Sequence, residues 1–382
     1  MDIAIISYNH PESSLVLAKY LTKTNNVHYF YITDIKKKSI PGIGYLSEKN
    51  FKIGLNEIKL EKDHPLYAYL NRANLKVTVI AYPTFRPQFT LINEFLTGYF
   101  LRRIKKTHFD VINLIGQQEL LISFHKALSN RKTVHSLHEV AKHYEGQVLK
   151  NKLLDFLFNK QIPVIVHSNN SYEMLMEQYP FNQDKVLKVP FGLFETYKFF
   201  STGSVIEQEE TILFYGFIKS YKGLGTFIKA VKYAQEKIPG IKAIIAGGGS
   251  DRALASVEND STFKVINRFL DNEEIVSLNE QATMVICPYT SASQSGIVTT
   301  TYVFNKPIIA SNIGGFKETI IDDFNGYLVP IDDHVAIGDH IVKLCSNKTL
   351  LNTMEKNIKG SFESGEYSWQ DIANKTLDFY KS

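Results

Sequence analysis

The sequence predicts an α/β protein made of two consecutive units, each with a parallel sheet, on three observations. Short β-branched runs alternate with amphipathic helical runs over residues 1–190; the alternation lapses over 191–208; it then restarts with strands that end in glycine or serine turns. Such alternation is the βαβ rhythm of a parallel sheet. At 382 residues the chain exceeds the size of one hydrophobic core, so two domains are expected. Two such units in succession imply a cleft between them.

In the first half the expected strands are 3–7, 27–32, 77–82, 111–115, 133–137, 164–167 and 186–190, with helices over 12–22, 118–127 and 172–178. Residues 34–75 carry no clear period and read as loop with short elements. The stretch 191–208, with Gly192 and Gly203, reads as the linker. Beyond it, 211–215 is an expected strand. Leu224, Phe227, Ile228 and Val231 then follow the i, i+3, i+4, i+7 spacing of a helix that Pro239 and Gly240 end, and 243–246 is the next strand. These readings give domains at 1–192 and 193–367, with a C-terminal helix over 368–382 that packs back on the first. Ile372, Leu377 and Phe379 lie on that helix, and the lone tryptophan, Trp369, is its apolar anchor.

Composition sets limits. Cys287 and Cys345 are the only cysteines, too few for a disulfide framework, and no apolar run suits a signal peptide or a transmembrane helix, so a cytoplasmic chain is expected. The net charge of +4 is mild and does not indicate nucleic acid. Its distribution is more telling. Residues 91–106 read LINEFLTGYFLRRIKK, with Leu91, Ile92, Phe95, Leu96, Tyr99 and Phe100 near helical spacing and four cations in the last turn. This pattern fits an interfacial helix at an anionic membrane surface, and equally an exposed helix whose basic end complements its own dipole.

The densest chemistry lies in residues 287–330, CPYTSASQSGIVTTTYVFNKPIIASNIGGFKETIIDDFNGYLVP. A Ser-rich turn precedes a helical run over 297–304, a strand over 307–311 follows, and Gly314-Gly315 turns the chain into a helix over 316–322. Free N–H groups at such helix starts attract anions, and ligands gather at strand ends in open α/β sheets.

These residues carry a family resemblance. Residues 214–230 (FYGFIKSYKGLGTFIKA), 244–249 (IIAGGG) and 285–329, in order and spacing, resemble the donor-binding half of glycosyltransferase family 4. In the first half the likeness is thinner, resting on 134–146 (VHSLHEVAKHYEG), 164–168 and 189–192, with Phe191 where the family often has His. The resemblance implies the GT-B fold, two Rossmann-like domains facing each other across a cleft, and a retaining, metal-independent transfer of sugar from a nucleotide diphosphate sugar. The implied acceptor is a glycan or lipid-linked glycan in cell-surface polysaccharide synthesis, with no cofactor besides the donor. The enzyme would be cytoplasmic or peripheral at the inner face of the membrane.

The resemblance also implies roles for individual residues. Lys219 and Lys222, after Gly216, stand where the family places its diphosphate-binding Arg and Lys. Ser295, Gly296 and Ile297 would offer hydroxyl and N–H groups to the diphosphate or the sugar. Gly247, Gly248, Arg268, Phe269, Thr300 and Glu318 complete the donor set, and His138 is implied to contact the donor sugar or phosphate from the other domain. The pair of glutamates that often flanks the donor loop is absent: its positions fall at Ser291 or Ala292 and at Thr300. A hydroxyl there holds a sugar hydroxyl more weakly than a carboxylate does. The Ser-Gln-Ser-Gly form of the loop resembles one branch of the family. His138, Glu139 and His143 lack the spacing of a zinc site, and no Gly-x-Ser-x-Gly elbow appears. Two rival classes remain, a GT-B-like nucleotide-sugar epimerase, which needs carboxylates at the site, and a relative that binds a nucleotide sugar without turning it over.

Overall fold

The computed structural model describes residues 1–36, 39–40, 44–45, 51–59, 61–72, 74–138, 140, 151–203, 205, 208, 210–291 and 296–382. The chain divides into two compact units, Met1–Phe199 with Glu366–Ser382, and Phe200–Gly365.

The first unit runs β1 (Asp2–Tyr8), α1 (Pro11–Leu21), β2 (Asn26–Asp34), β3 (Ser39–Ile40), β4 (Gly44–Tyr45), β5 (Gly54–Glu57), α2 (Tyr67–Leu70), β6 (Leu75–Tyr82), α3 (Thr90–Ile104), β7 (Val111–Ile115), α4 (Leu120–Ala127), β8 (Thr133–Leu137), α5 (Lys152–Asn159), β9 (Val164–Val166), α6 (Asn169–Gln178) and β10 (Val186–Lys188). Its main sheet has the order β10-β9-β8-β7-β1-β2-β6-β5. Every pair is parallel except β5 on β6. The central strand, DIAIISY, is buried from its second residue onward, because a parallel sheet is covered on both faces and its strands are apolar runs rather than alternations.

The region expected to be loop with short elements contains β5, an antiparallel edge strand whose Gly-Leu-Asn-Glu holds a single apolar residue and therefore shows no period. One sequence expectation is corrected here. The domain boundary falls after Phe199 rather than Gly192. Residues 193–199 stay with the first unit because Glu195 receives the Lys19 ammonium of α1 and hydrogen bonds from the hydroxyls of Tyr20 (3.3 Å) and Tyr69 (3.1 Å).

The C-terminal helix, Trp369–Lys381, packs against α1. Its buried face is Trp369, Ile372, Ala373, Thr376 and Tyr380, and Leu377 and Phe379 are half-buried beside it. The Trp369 indole donates to the Leu193 carbonyl at 2.6 Å. The Tyr380 hydroxyl accepts from the buried Asn113 amide at 2.7 Å, and the Asn113 carbonyl oxygen accepts from Ser136 Oγ at 3.0 Å. This chain of polar groups ties the last helical turn to β7 and β8.

The second unit runs β11 (Thr211–Tyr215), α7 (Leu224–Lys237), β12 (Lys242–Ala246), β13 (Phe263–Ile266), α8 (Asn272–Gln281), β14 (Met284–Cys287), α9 (Gly296–Thr301), β15 (Ile308–Ser311), α10 (Phe316–Thr319), β16 (Gly326–Val329), α11 (His334–Cys345) and α12 (Lys348–Glu363). Its sheet, β13-β12-β11-β14-β15-β16, is parallel throughout. A capping box of Asp271 and Glu274 starts α8. The helical run expected over 297–304 is present as α9 continued by a 3₁₀ turn at Tyr302–Phe304, whereas the helix expected over 316–322 is shorter than expected. At α10 the Asn325 side chain ends the helix, accepting from the Ile321 N–H at 2.7 Å and donating to the Thr319 carbonyl at 2.9 Å.

Removing only the Tyr380 hydroxyl leaves the buried Asn113 amide without that acceptor, a loss of about 1–3 kcal/mol. Urea unfolding of Tyr380→Phe is expected to show that destabilisation; a midpoint equal to wild type would mean the C-terminal helix is not coupled to the sheet through this bond.

Candidate functional site

In each sheet the strand order reverses at one point, and the carboxyl ends of the two strands flanking that point form the edge where open α/β sheets bind ligands. In the second unit the reversal lies between β11 and β14. The loop after β11 contains Gly216, Lys219 and the short 3₁₀ helix Ser220–Lys222. The loop after β14 contains Pro288 and Tyr289.

These loops are packed backbone against backbone. Gly223, at φ 70°, begins α7 so close to β14 that a Cβ there would stand 1.9 Å from the Pro288 carbonyl oxygen. Gly247, at φ 138°, follows β12 so close to the β11 loop that a Cβ would stand 2.0 Å from the Gly216 carbonyl oxygen. No side chain fits in either place. Gly248 accepts from the Ile218 N–H at 3.0 Å, and a Cβ on it would lie 3.4 Å from the Arg268 carbonyl carbon and 3.5 Å from the Phe269 nitrogen. The glycine turns after β11 and β12 and the backbone after β13 thus form one continuous rim.

Lys222 crosses the reversal point. Its ammonium donates to the Tyr289 hydroxyl at 2.6 Å and sits 4.2 Å from the centroid of that ring. Only 9% of the residue is exposed. Burial pushes the Lys222 pKa down to about 8, with the nearby Lys219 adding to the shift and Cys287 opposing it. Burial likewise raises the Cys287 thiol to about 12, so that thiol is neutral where Lys222 titrates. Among the described residues no carboxylate pairs with Lys222. A Cβ placed on Gly216 would lie 3.7 Å from Lys222 Nζ and 3.4 Å from Ile297 Cδ1, which brings Gly216, Lys222 and the start of α9 together.

Lys219 is exposed one turn earlier. Thr300 is buried on α9, where the Tyr215 hydroxyl meets Thr301 Oγ1 at 3.1 Å. Glu318 lies on α10, whose first residue, Phe316, packs its ring 5.3 Å from that of Tyr289. Arg268 is turned away from the rim: its guanidinium forms a two-pronged pair with Glu274. It lines a separate depression of about 740 Å³ beside α8, none of whose lining residues belongs to the reversal point. Phe269 is 62% exposed. Ser295, with the rest of 292–295, lies outside the described residues, as do Glu139 and His143. Among the described residues no group of three or more His, Cys, Asp or Glu side chains could hold a metal ion. Tyr289, which sequence reasoning missed, was signalled by its place directly after a strand in the middle of the sheet.

In the first unit the reversal lies between β1 and β7, and histidines follow three of the central strands. After β1, Asn9 and His10 take left-handed backbone at φ 62° and 55°. The turn is held by Ser14 Oγ and Ser13 Oγ, which donate to the His10 carbonyl at 2.8 and 3.2 Å. His138 follows β8. Its ring stacks on His10 at 3.7 Å and 13°, packs 4.6 Å from Phe191, and places Nε2 3.3 Å from Ser13 Oγ. His167, after β9, stacks on Phe191 at 4.0 Å and donates from Nδ1 to the Val189 carbonyl at 3.1 Å. Burial holds the His138 imidazole well below the usual range, with His10 and His167 adding to it, and burial lowers His167 to about 3. Both rings are neutral at physiological pH. The void beside them, closed by Trp369 and Ile372, is about 20 Å³, room for at most a water. His138 is therefore packed under His10, whose own side chain is 34% exposed. The sequence signal for His10 was its place in the loop after the first strand.

Comparison with known proteins agrees with this geometry. Residues 198–361 match the family model described as Glycosyl transferases group 1. The phosphatidyl-myo-inositol mannosyltransferase of Mycobacterium leprae is 25% identical over 179 residues, 45% of this chain and 46% of that protein. The D-inositol 3-phosphate glycosyltransferase of Corynebacterium urealyticum is 24% identical over 45% of this chain and 43% of that protein, so the chain spans about half the length of the curated relatives it matches. Among solved structures, Anabaena HepE in complex with UDP and glucose superposes with a TM-score of 0.67 at 16% identity, covering 100% of both chains. A sucrose-phosphate synthase from Thermosynechococcus elongatus gives 0.68 at 16% identity over 100% of this chain and 98% of that one. The chain thus has the fold of the GT-B glycosyltransferases, two Rossmann-like α/β units with parallel sheets, and residues 198–361 within it match Glycosyl transferases group 1.

Proposed function

We propose that the chain is a retaining, metal-independent glycosyltransferase that moves a sugar from a nucleotide diphosphate sugar to a glycan or lipid-linked glycan acceptor. The observation that carries this reading is Lys222. A buried ammonium whose described hydrogen-bond partner is a neutral phenol is costly, and an anionic ligand at the rim offsets that cost. A nucleoside diphosphate supplies the anion at a strand reversal point of the kind where such ligands bind. HepE, of the same fold, was crystallised with UDP and glucose, which makes UDP-sugars the first donors to assay. The inositol and phosphatidyl-inositol acceptors named for two relatives make a lipid-linked or polyol acceptor the first choice on the other side, with cell-surface polysaccharide synthesis as the setting.

In this reaction the bond between the anomeric carbon and the diphosphate oxygen breaks, a new bond forms to the acceptor oxygen, and the acceptor hydroxyl passes its proton to the departing diphosphate. Negative charge grows on the departing diphosphate. Lys222 and Lys219, with N–H groups of the rim and of Gly296 and Ile297, would stabilise it more in the transition state than in the bound donor. Glu318 would accept from sugar hydroxyls and Thr300 from a hydroxyl of the donor, in place of the absent glutamates. Ser295 and the Ser-Gln-Ser-Gly assignment of the loop belong to the same proposal. His138 would act through His10, fixing the ring that the first unit presents at its own strand ends. The missing glutamates favour one second reading, a relative that binds the donor without transferring it; an epimerase would release a changed nucleotide sugar and no glycoside.

Two outcomes are expected of variants at the lysines. Lys219→Ala and Lys222→Met each lower transfer by about 2–4 kcal/mol of transition-state stabilisation. Lys222→Met leaves the unliganded protein at least as stable as wild type, since it replaces a buried, unpaired cation with an apolar chain of similar length. Steady-state rates and thermal unfolding check both halves, and wild-type rates in both variants would refute the assignment.

The pH dependence has a definite sign. Lys222 is charged below about 8, and only the charged form attracts a diphosphate. UDP affinity measured by calorimetry is therefore expected to be flat below that pH and to fall by up to roughly tenfold per unit above it; in Lys222→Met the fall disappears. Transfer is also expected to persist in excess EDTA, because cations and N–H groups of the chain do the work of a divalent ion. Loss of activity restored by added metal would overturn that part of the reading.

A further inference from the structure

Helix α3 buries two polar side chains over its first two turns while exposing four apolar ones. On its inner side Asn93 and Thr97 are 4% and 1% exposed. The Asn93 amide donates to the Thr84 carbonyl at 2.8 Å, and Thr97 Oγ1 donates to the Asn93 carbonyl at 2.7 Å while lying 2.6 Å from the Tyr82 hydroxyl. Phe100, Leu101 and Ile104 complete that side. On the outer side Leu91, Ile92, Phe95 and Tyr99 are 80%, 50%, 77% and 57% exposed. These positions and Arg102 and Arg103 follow at three- and four-residue steps, so they share one face. Gly98 lies within it, and no heavy atom stands within 4 Å of where its Cβ would be.

The face is graded along its length. Its N-terminal half is apolar, Tyr99 stands in the middle, and Arg102, Arg103, Lys105 and Lys106, all exposed, close the C-terminal end. Among the described residues none of these four cations is ion-paired, and Glu94 is the one acid on the helix. A helix that only complemented its own dipole would account for the cations. It would not account for an exposed Leu-Ile-Phe-Tyr stripe over buried, hydrogen-bonded Asn and Thr.

We propose that α3 seats the chain on an anionic lipid surface. Leu91, Ile92 and Phe95 enter the boundary between headgroups and acyl chains, Tyr99 lies at headgroup level, and the four cations meet lipid phosphates. No helix among the described residues is long and apolar enough to cross a membrane, so the attachment is peripheral. A second copy fits the face less well. Paired in parallel, two copies would oppose eight cations; paired antiparallel, each would set four cations against an apolar end whose one acid is Glu94. The surface stands independently of the catalytic reading, since it uses none of the donor-site residues.

Co-sedimentation of the purified chain with vesicles tests this. At low salt it is expected to pellet with vesicles of equal parts phosphatidylglycerol and phosphatidylcholine, and to stay in solution with phosphatidylcholine alone. Half-molar salt should release it by screening. In R102Q/R103Q/K105Q/K106Q the partition coefficient is expected to fall about fivefold per cation removed. Leu91→Ser with Phe95→Ser should lower it by about tenfold or more, with circular dichroism and UDP affinity unchanged because both positions are exposed. Wild type remaining in solution with anionic vesicles at low salt would overturn the proposal, as would a charge variant that binds like wild type. A concentration-dependent dimer in light scattering, broken by Phe95→Ser and accompanied by no vesicle binding, would assign the stripe to a second copy instead.

Discussion

The close approach of backbones at the carboxyl end of the second sheet determines where Lys222, the central proposed donor contact, stands. The loops after β11, β12 and β14 meet with no room for a side chain at Gly223 or Gly247, where a Cβ would fall 1.9 and 2.0 Å from carbonyl oxygens of neighbouring loops. Because the loops are fixed on one another, the short 3₁₀ helix between them can carry Lys222 inward to Tyr289 and no further. The cation is then held at the strand reversal point, dehydrated, by groups that do not neutralise it. A lysine on a loose loop would be hydrated and nearly free to leave. This one is pre-positioned, and the cost of holding it is met by the packing of the unit's core, which includes Phe214, Phe227 and Ile286.

The first unit solves a different problem at the same kind of edge. Its three strand-end histidines are stacked and mostly dehydrated, so His138 and His167 are neutral spacers and His10 is the ring left partly open. The left-handed backbone at Asn9 and His10 is strained for residues with a side chain. It persists because Ser13 and Ser14 of α1 both hold the His10 carbonyl. The C-terminal helix closes the space behind these rings with Trp369, which makes a segment distant in sequence part of the support for the β1 turn.

Much of this architecture was legible from residues alone, for a physical reason. The strand at 211–215, TILFY, is buried along its whole length and is a nearly continuous apolar run, and its limits could be read to the residue. The turn at Gly216 was legible because a glycine directly after a buried strand marks a tight turn at the sheet edge, whereas the lysines after it were singled out by the family resemblance. What escaped the sequence depended on tertiary context. Edge strand β5 carries one apolar residue, and α10 is cut short by an asparagine six residues beyond its end. Arg268 looks like a donor contact until Glu274, the partner that also caps α8, takes its guanidinium. His138 looks like an open ligand until the stack above it is seen. In α3 the pattern left an interfacial helix and an ordinary exposed helix both open, and burial shows which apolar residues point outward: Leu91, Ile92, Phe95 and Tyr99, but not Phe100.

The central claim, that Lys222 is a buried cation awaiting a diphosphate, can be tested at the atom concerned. Nitrogen-15 NMR of the lysine ammonium groups, with Lys222 assigned by its absence in Lys222→Met, gives its titration directly. The account predicts a midpoint near 8 in the free protein and an upward shift of more than about one unit when UDP is bound, since a nearby anion favours the charged form. A midpoint that does not move on saturation with UDP would place the diphosphate elsewhere and contradict the account.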